Sequence, residues 1–441
     1  MNVIVIVTDS LRADHLGCYE NEWIQTPNLD RLAQEAALFE QAFDEGIPTM
    51  PTRTAWWTGK FTFPLRGWQR FDHNDVLLAE VLWDQGFTSA LITDVYHMHK
   101  PGMNCGRGFD TVQWIRGQEY DPWIVDRSIE IDADRHWKPD PDAERNAHWR
   151  RNFEQYLRNI SVRRREEDHF VAQVCKAGIR WLEEHHGRDH LFLWLDCFDP
   201  HEPWDPPPPY DRMYNRGYEG QDIIDPVPRE VEGYLSEEEL NNIKSLYAGE
   251  VTLVDKWVGM FLDAAREMGF YENTLIMHTT DHGEPFGEHG IVRKARPWPD
   301  IEVARIPWLV RLPDGTGHGE RISALVETCD LMPTVLEFLG VEAPKGMTGS
   351  SLLPLMRGER EQVRDYAYCG FFNQAWSIRS QEWSFIMLLP NCPQRPSGPR
   401  ELYSRRDDPA EQSNLIAEHP EVADGLELEL RRFVAEMQRR G

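Results

Sequence analysis

The chain has 441 residues, enough for one large domain or for a large domain with a smaller appendage. Hydrophobic residues make up 41% of it and charged residues 27%, ordinary globular proportions that exclude disordered and fibrous classes. The net charge of −27 repels a phosphate backbone and argues against nucleic acid as a partner, yet it leaves room for a small anionic substrate wherever a metal ion or local cation reverses the field inside a cleft.

The chain opens Met1-Asn-Val-Ile-Val-Ile-Val-Thr-Asp9, an apolar run too short for a signal segment or a membrane span. Its β-branched residues Val3 to Val7 predict a strand buried on both faces that ends at Thr8-Asp9-Ser10. Three-to-four spacing of apolar residues predicts helices over Asn28 to Glu40 and Leu77 to Gln85. Residues 115–168 break this rhythm with many Trp, Asp, Arg and Pro, and include Arg163-Arg-Arg-Glu-Glu-Asp168. They read either as a structured insertion over the cleft or in a subunit contact, or as a solvated surface excursion.

A helix follows over Phe170 to His186, then an apolar strand, Leu191-Phe-Leu-Trp-Leu195, that leads into Asp196-Cys-Phe-Asp-Pro-His201. Pro200 to Pro209 predicts a rigid loop of polyproline character. A helix over Leu246 to Glu267 precedes a third strand, Thr274 to Thr280, which runs into Asp281-His282-Gly283. From about Tyr366 the pattern changes to short strand-like pieces and closes with an amphipathic helix over Glu421 to Gln438. Strands alternating with helices predict an α/β fold with a largely parallel central sheet flanked by helices. The expected organisation is a catalytic domain over 1–365 and a smaller C-terminal α+β subdomain over 366–441. In such sheets the ligand crevice lies at the carboxyl ends of the strands, where the three polar clusters fall. The seven cysteines are odd in number and form no C-x-x-C pair, which argues against a disulfide framework or a zinc ribbon and for a reduced, cytoplasmic protein with no membrane partner.

Asp9, Asp281 and His282 combine hard carboxylates with one imidazole, a donor set suited to Mg²⁺, Ca²⁺, Mn²⁺ or Zn²⁺. Thr49-Met-Pro-Thr-Arg53 is followed by Thr58-Gly59. That spacing resembles the sulfatase signature: Cys or Ser, any residue, Pro, any residue, Arg, then Thr-Gly after four more. Further motifs agree in order: Leu16-Gly-Cys-Tyr19, Thr26-Pro-Asn-Leu-Asp-Arg31, Asp281-His-Gly-Glu284 with Gly287-Glu-His-Gly290 and Lys294, Arg305-Ile-Pro307, Asp330-Leu-Met-Pro-Thr-Val-Leu336, Gly349-Ser-Ser-Leu-Leu-Pro354 and Glu401-Leu-Tyr403. Asp408-Pro-Ala-Glu411 and Asn414-Leu415 complete the set. The chain is thus similar to the sulfatase family of the alkaline phosphatase superfamily, phosphonate monoester hydrolases included, from residue 2 to about residue 415, with 115–168 as the main gap.

The resemblance implies an alkaline-phosphatase-like fold and hydrolysis of sulfate, phosphate or phosphonate esters. It implies metal ligands at Asp9, Asp281 and His282, a nucleophile at Thr49 that also meets the metal, a supporting cation at Arg53, and substrate contacts at Lys294 and His201. Arg53 and Lys294 would neutralise the transferring group, and His201 or His97 would serve the leaving group as donor.

Three departures matter. Sulfatases oxidise the Cys or Ser to a formylglycine aldehyde, which Thr49 cannot become. A threonyl sulfate is a stable alkyl sulfate, whereas a threonyl phosphorus ester can be hydrolysed, so phosphodiesters and phosphonate monoesters are favoured over sulfates. Ser10 stands where a second ligand Asp is usual, which removes a negative charge from the metal shell. The usual Gly-Lys-Trp-His segment is replaced near Thr93-Asp-Val-Tyr-His97, with Lys100 at a different spacing. Fewer cations suit a monoanionic ester.

Other readings stay open: a sulfuric ester hydrolase, an inactive metal-binding homologue, and a phosphoryl-transferring mutase with a second metal on Asp196, Asp199, His289 and His201. A homo-oligomer is also left open.

Overall fold

The computed structural model describes residues 1–440. Nine strands form the main sheet: β1 (Asn2–Thr8), β2 (Ala37–Phe43), β3 (Thr88–Thr93), β4 (Thr111–Trp114), β5 (Leu191–Cys197), β6 (Thr274–Thr279), β7 (Arg305–Ile306), β8 (Trp308–Arg311) and β9 (Arg321–Glu327). The order is β9-β2-β8-β6-β1-β5-β3-β4, with the short β7 beside β2. Only β7 and β8 run antiparallel to their neighbours, so the sheet is largely parallel. The three strands expected from their apolar runs, β1, β5 and β6, are adjacent, and their polar ends meet at one carboxyl edge.

Helices cover both faces: α1 (Pro27–Gln34), α2 (Met50–Thr58), α3 (Leu78–Asp84), α4 (Ala143–Ile160), α5 (Phe170–Glu184), α6 (Glu237–Glu267) and α7 (Leu331–Leu339). The alternation of β1 side chains explains the layering. Ile4 and Ile6 pack among residues of α1, α5 and α6, while Val3, Val5 and Val7 pack among residues of α2, α3 and α7. Every β1 residue is buried, as a strand covered on both faces requires.

Two boundaries differ from the sequence expectation. The helix expected over Asn28 to Glu40 stops at Gln34, and Ala37–Phe43 is strand β2, hydrogen-bonded between β8 and β9. The short apolar run Ala36 to Phe39 fits either period, and inter-strand pairing decides it. Helix α6 begins at Glu237, ahead of Leu246. Ser236 Oγ accepts from Glu239 N–H (3.2 Å) and the Glu239 carboxylate accepts from Ser236 N–H (2.8 Å), a reciprocal capping box.

Residues 115–168 contain α4 and are anchored to the body of the fold by a few buried residues, with most of the remaining side chains exposed or half-buried. Trp137, Phe153 and Tyr156 are buried. Asn159 Nδ2 donates to the carbonyls of Gly117 (2.9 Å) and Asp121 (2.8 Å), and Gln118 Nε2 reaches Asp199 Oδ1 (2.7 Å) beyond the end of β5.

A second, antiparallel sheet runs in chain order: β10 (Ala367–Phe371), β11 (Ala375–Arg379), β12 (Trp383–Leu388) and β13 (Arg400–Ser404). The closing helix α8 (Pro420–Arg440) packs Leu426, Leu430 and Val434 among Ile378, Phe385 and Leu402 of this sheet. This sheet braces the loop before α2: Gly370 N–H donates to the Glu45 carbonyl (2.9 Å) and Ile47 N–H to the Gly370 carbonyl (3.1 Å).

Candidate metal centre and active site

Three chain segments converge at the carboxyl edge of the sheet. Asp9 and Ser10 follow β1, Asp281 and His282 follow β6, and Thr49 caps the N-terminus of α2. All five are buried. The ligand atoms of Asp9, Asp281 and His282 lie within 4.8 Å of one another, and Thr49 Oγ1 is 3.2 Å from His282 Nε2. Thr49 has φ 48°, a left-handed conformation costly for a β-branched residue, so the surrounding structure holds the hydroxyl in place against a local preference.

Hydrogen bonds fix each donor atom. His282 Nδ1 faces the Gly283 carbonyl (2.9 Å), which only accepts; Nδ1 therefore carries the proton and Nε2 presents a lone pair to the cluster. Burial pushes His282 down to about 4, so the ring is neutral near pH 7. Asp281 Oδ1 accepts from the backbone N–H groups of Ser10 (3.1 Å) and His282 (2.9 Å). Ser10 Oγ lies 3.3 Å from Asp9 Oδ1 and 3.4 Å from His282 Nδ1, at the edge of the cluster. Tyr247 of α6 ties down the Ser10 turn: its hydroxyl donates to Ser10 O (2.7 Å) and accepts from Arg12 N–H (2.9 Å).

Burial and then the Asp281 charge hold Asp9 well above the usual carboxylate range. Burial pushes Asp281 the same way, but the Arg53 guanidinium, by its charge and its hydrogen bond, holds Asp281 low. Arg53 serves three buried carboxylates, those of Asp9, Asp196 and Asp281, which leaves negative charge for a cation to balance. The oxygen-rich donor set and the bare imidazole nitrogen fit one hard divalent ion.

Arg53, expected to neutralise the transferring group, is held among three buried carboxylates beside Thr49. Nε and NH2 donate to Asp196 Oδ2 (3.0 Å) and Oδ1 (2.6 Å), NH2 also to Asp9 Oδ2 (3.1 Å), and NH1 to Asp281 Oδ2 (2.7 Å) and the Thr49 carbonyl (3.1 Å). Every N–H donor of the guanidinium is then engaged within the protein. Lys294 does reach the site. Its Nζ lies 3.4 Å from Ser10 Oγ and pairs with Glu284 and, at 3.5 Å, with Glu202. Burial alone would depress this amine; Glu202 and Glu284 hold it above the ordinary lysine value.

His201 packs at a tilt against Phe198 with ring centroids 4.1 Å apart, and its centroid is 6.4 Å from that of His282. Its Nδ1 meets the Glu202 carbonyl (2.9 Å), which leaves Nε2 as the acceptor of a neutral ring. His97 also neighbours Phe198, with ring centroids 6.4 Å apart. Its Nε2 pairs with Glu119 (2.7 Å) and its Nδ1 with Lys100 Nζ (3.1 Å), so neither nitrogen is aimed at the cluster. Lys100 is turned to the same surroundings, donating to the Tyr120 hydroxyl (2.8 Å).

The four residues considered for a second metal are not brought together. Asp196 is occupied by Arg53, Asp199 by Gln118 and the Val171 N–H, and His201 by Glu202; His289 bonds to Glu302 and to the Glu411 carbonyl. A separate His289–Asp300–Glu302 cluster has ligand-like spacing, but the Arg395 guanidinium on Asp300 and the His289–Glu302 pair balance its charges without an ion. Motif spacing does not reveal Asp196 as the partner of Arg53, Glu202 and Glu284 as partners of Lys294, or Tyr247 as the clamp on Ser10. A carboxylate ending an apolar strand is the one available signal for Asp196; Tyr247 has none.

A largely parallel sheet with a carboxylate–imidazole cluster at its carboxyl edge is an α/β architecture with a candidate divalent-metal centre. The family model described as Sulfatase matches residues 1–341, and one described as N-sulphoglucosamine sulphohydrolase, C-terminal, matches residues 287–439. The chain belongs to the sulfatase family and is a sulfatase-family hydrolase. It is 25% identical over 417 residues to an arylsulfatase of Clostridium perfringens (strain 13 / Type A), covering 83% of this chain and 80% of that protein. It is 26% identical over 410 residues to a multifunctional alkaline phosphatase superfamily protein of Trinickia caryophylli, covering 80% and 77%. The structure of the phosphonate monoester hydrolase of Agrobacterium radiobacter superposes with a TM-score of 0.75 at 20% identity, covering 99% of this chain and 96% of that one, a likeness of fold. Among the described residues no helix is long and apolar enough to cross a membrane.

Proposed function

We propose that this protein hydrolyses phosphodiester or phosphonate monoester bonds in small anionic substrates, with Thr49 as the nucleophile. The observation that carries this reading is a secondary alcohol, Thr49 Oγ1, held 3.2 Å from His282 Nε2 where sulfatases place an aldehyde-forming residue. One divalent ion on Asp9, Asp281, His282 and Thr49 would supply the positive charge that polarises the ester and favours the Thr49 alkoxide.

The chain's own residues account for the remaining steps. Thr49 Oγ1 forms a bond to phosphorus as the P–O bond to the leaving alcohol breaks; the threonine proton passes to solvent and the alcohol takes one up. Water then attacks the phosphorus of the threonyl ester as the P–Oγ1 bond breaks; His201 Nε2 accepts a proton from that water and gives it up to solvent, and Thr49 Oγ1 takes up a proton to restore the hydroxyl. His201 thus acts in the second half, because its tautomer has no proton to give on the cleft side. Lys294 binds the anion with its charge partly matched by Glu202 and Glu284, and Arg53 has no donor left for it, a balance that suits a monoanion. The cytoplasmic reading accompanies this one: all seven cysteines are free thiols.

The test is hydrolysis of matched aryl esters by metal-reconstituted protein: a phosphodiester, a phosphonate monoester, a phosphate monoester and a sulfate. Preference for the phosphorus monoanions, reduced at least about 10³-fold in Thr49→Ala, is expected. A sulfuric ester hydrolase is the second reading, favoured by the arylsulfatase relative. Fast sulfate turnover would establish it and sink the threonyl-phosphorus chemistry. No turnover of any ester would favour an inactive metal-binding homologue.

A further inference from the structure

Asp196 ends the apolar run of β5 with its carboxylate wholly buried, and no step above uses it. Both of its oxygens take the Arg53 guanidinium in fork geometry (3.0 and 2.6 Å), and Trp194 Nε1 donates to Oδ2 as well (3.2 Å). The same guanidinium touches Asp281 Oδ2 at 2.7 Å and Asp9 Oδ2 at 3.1 Å. A fixed cation in contact with two ligand carboxylates competes with a metal ion for their charge.

We propose that Asp196 is a positioning residue for metal binding: it anchors and neutralises Arg53, so that Asp9 and Asp281 keep their negative charge for the divalent ion. The inference rests on the metal reading given above. It also accounts for Ser10, which supplies no charge to the shell: Asp196 returns one carboxylate to the centre from behind Arg53. The Arg53 fork on Asp196 is what a lysine at position 53 cannot reproduce, since a single ammonium can match either Asp196 or the two ligands but not the planar pairing with all three.

Calorimetric titration of the metal-free full chain with Mn²⁺ tests this directly, without substrate. Asp196→Asn is expected to weaken Mn²⁺ about 10- to 100-fold, the range found for groups that orient metal ligands. Adding Ser10→Asp in that background should recover affinity to within about fivefold of wild type, because the missing charge is returned to the shell. Wild-type affinity in Asp196→Asn would overturn the proposal, as would a lowered metal-free melting temperature with unchanged affinity, which makes Asp196 a structural partner alone. Should Asp196→Asn not fold, Arg53→Lys carries the test: at least about tenfold weaker Mn²⁺ binding supports the anchoring role and wild-type binding refutes it. Wild-type protein that binds no more Mn²⁺ than Asp9→Ala would instead remove the metal reading itself, and this inference with it.

Discussion

At position 283 there is no room for a side chain. A Cβ on Gly283 would stand 2.0 Å from the Glu302 carbonyl oxygen, and the Gly283 N–H is committed to the Val303 carbonyl at 2.9 Å. Because the obstacle is backbone, Gly283→Ala forces the segment carrying Asp281 and His282 to move. We expect it to destabilise the protein by about 2–3 kcal/mol in urea unfolding and to abolish Mn²⁺ binding in the folded fraction. Retained affinity would show that the ligand turn tolerates the shift. The same scale explains why the motif alone does not assign Arg53. Its spacing from Thr49 is shared with the family, but its role depends on Asp196, which lies 143 positions away in sequence and on a different strand.

Elements transmit stability to the site. Helix α6 runs 31 residues from its capping box at Ser236 and Glu239, and it carries Tyr247, whose hydroxyl bridges Ser10 O and Arg12 N–H. Ser236→Ala removes one side-chain acceptor from the first turn and should cost about 1 kcal/mol in chemical denaturation, with Mn²⁺ affinity unchanged because Tyr247 lies about three turns downstream. A parallel loss of metal affinity would mean that the first turn and the Ser10 clamp unfold together. The strand β2 makes the complementary point. Its apolar residues satisfy a helix pattern locally, and only the open edges of β8 and β9 make it a strand.

At the scale of the whole molecule, the two sheets are joined beside the site. His289, which follows β6 of the main sheet, pairs through Nδ1 with Glu302 (2.8 Å) and through Nε2 with the Glu411 carbonyl in the C-terminal region (2.8 Å). Burial opposes charge on this ring, but the Glu302 hydrogen bond and the Asp300 charge overcome it and raise His289 to about 10. A raised histidine contributes stability that is complete below its unfolded value near 6.5 and is lost as pH rises through 10. His289→Gln should therefore lower stability by about 3 kcal/mol near neutrality and flatten the decline in melting temperature between pH 7 and 10. An equal slope in both proteins would place the alkaline transition elsewhere. Chelation gives the second global readout. Without a divalent ion, Asp9, Asp196 and Asp281 share Arg53 alone, so EDTA should lower the melting temperature by about 3–8 °C and excess Mn²⁺ should restore it. An EDTA-insensitive melting curve would argue against a bound ion.

Much of this protein is legible in its amino-acid order. Apolar runs ending abruptly in Asp and His place three candidate metal ligands at strand ends, because a strand buried on both faces needs such a run and its end can hold charge. Motif spacing locates Thr49, Arg53 and Lys294, and the threonine itself rules out an aldehyde. What the sequence by itself determined is therefore the inventory of reactive atoms and the edge of the sheet on which they gather. Which carboxylate faces which cation was decided by tertiary structure alone. Asp196 meets Arg53, Glu202 and Glu284 meet Lys294, and Tyr247 meets Ser10 because strand order and helix packing bring them within 3.5 Å, a distance at which buried charges and hydrogen-bonding groups act strongly and which leaves no trace in local spacing.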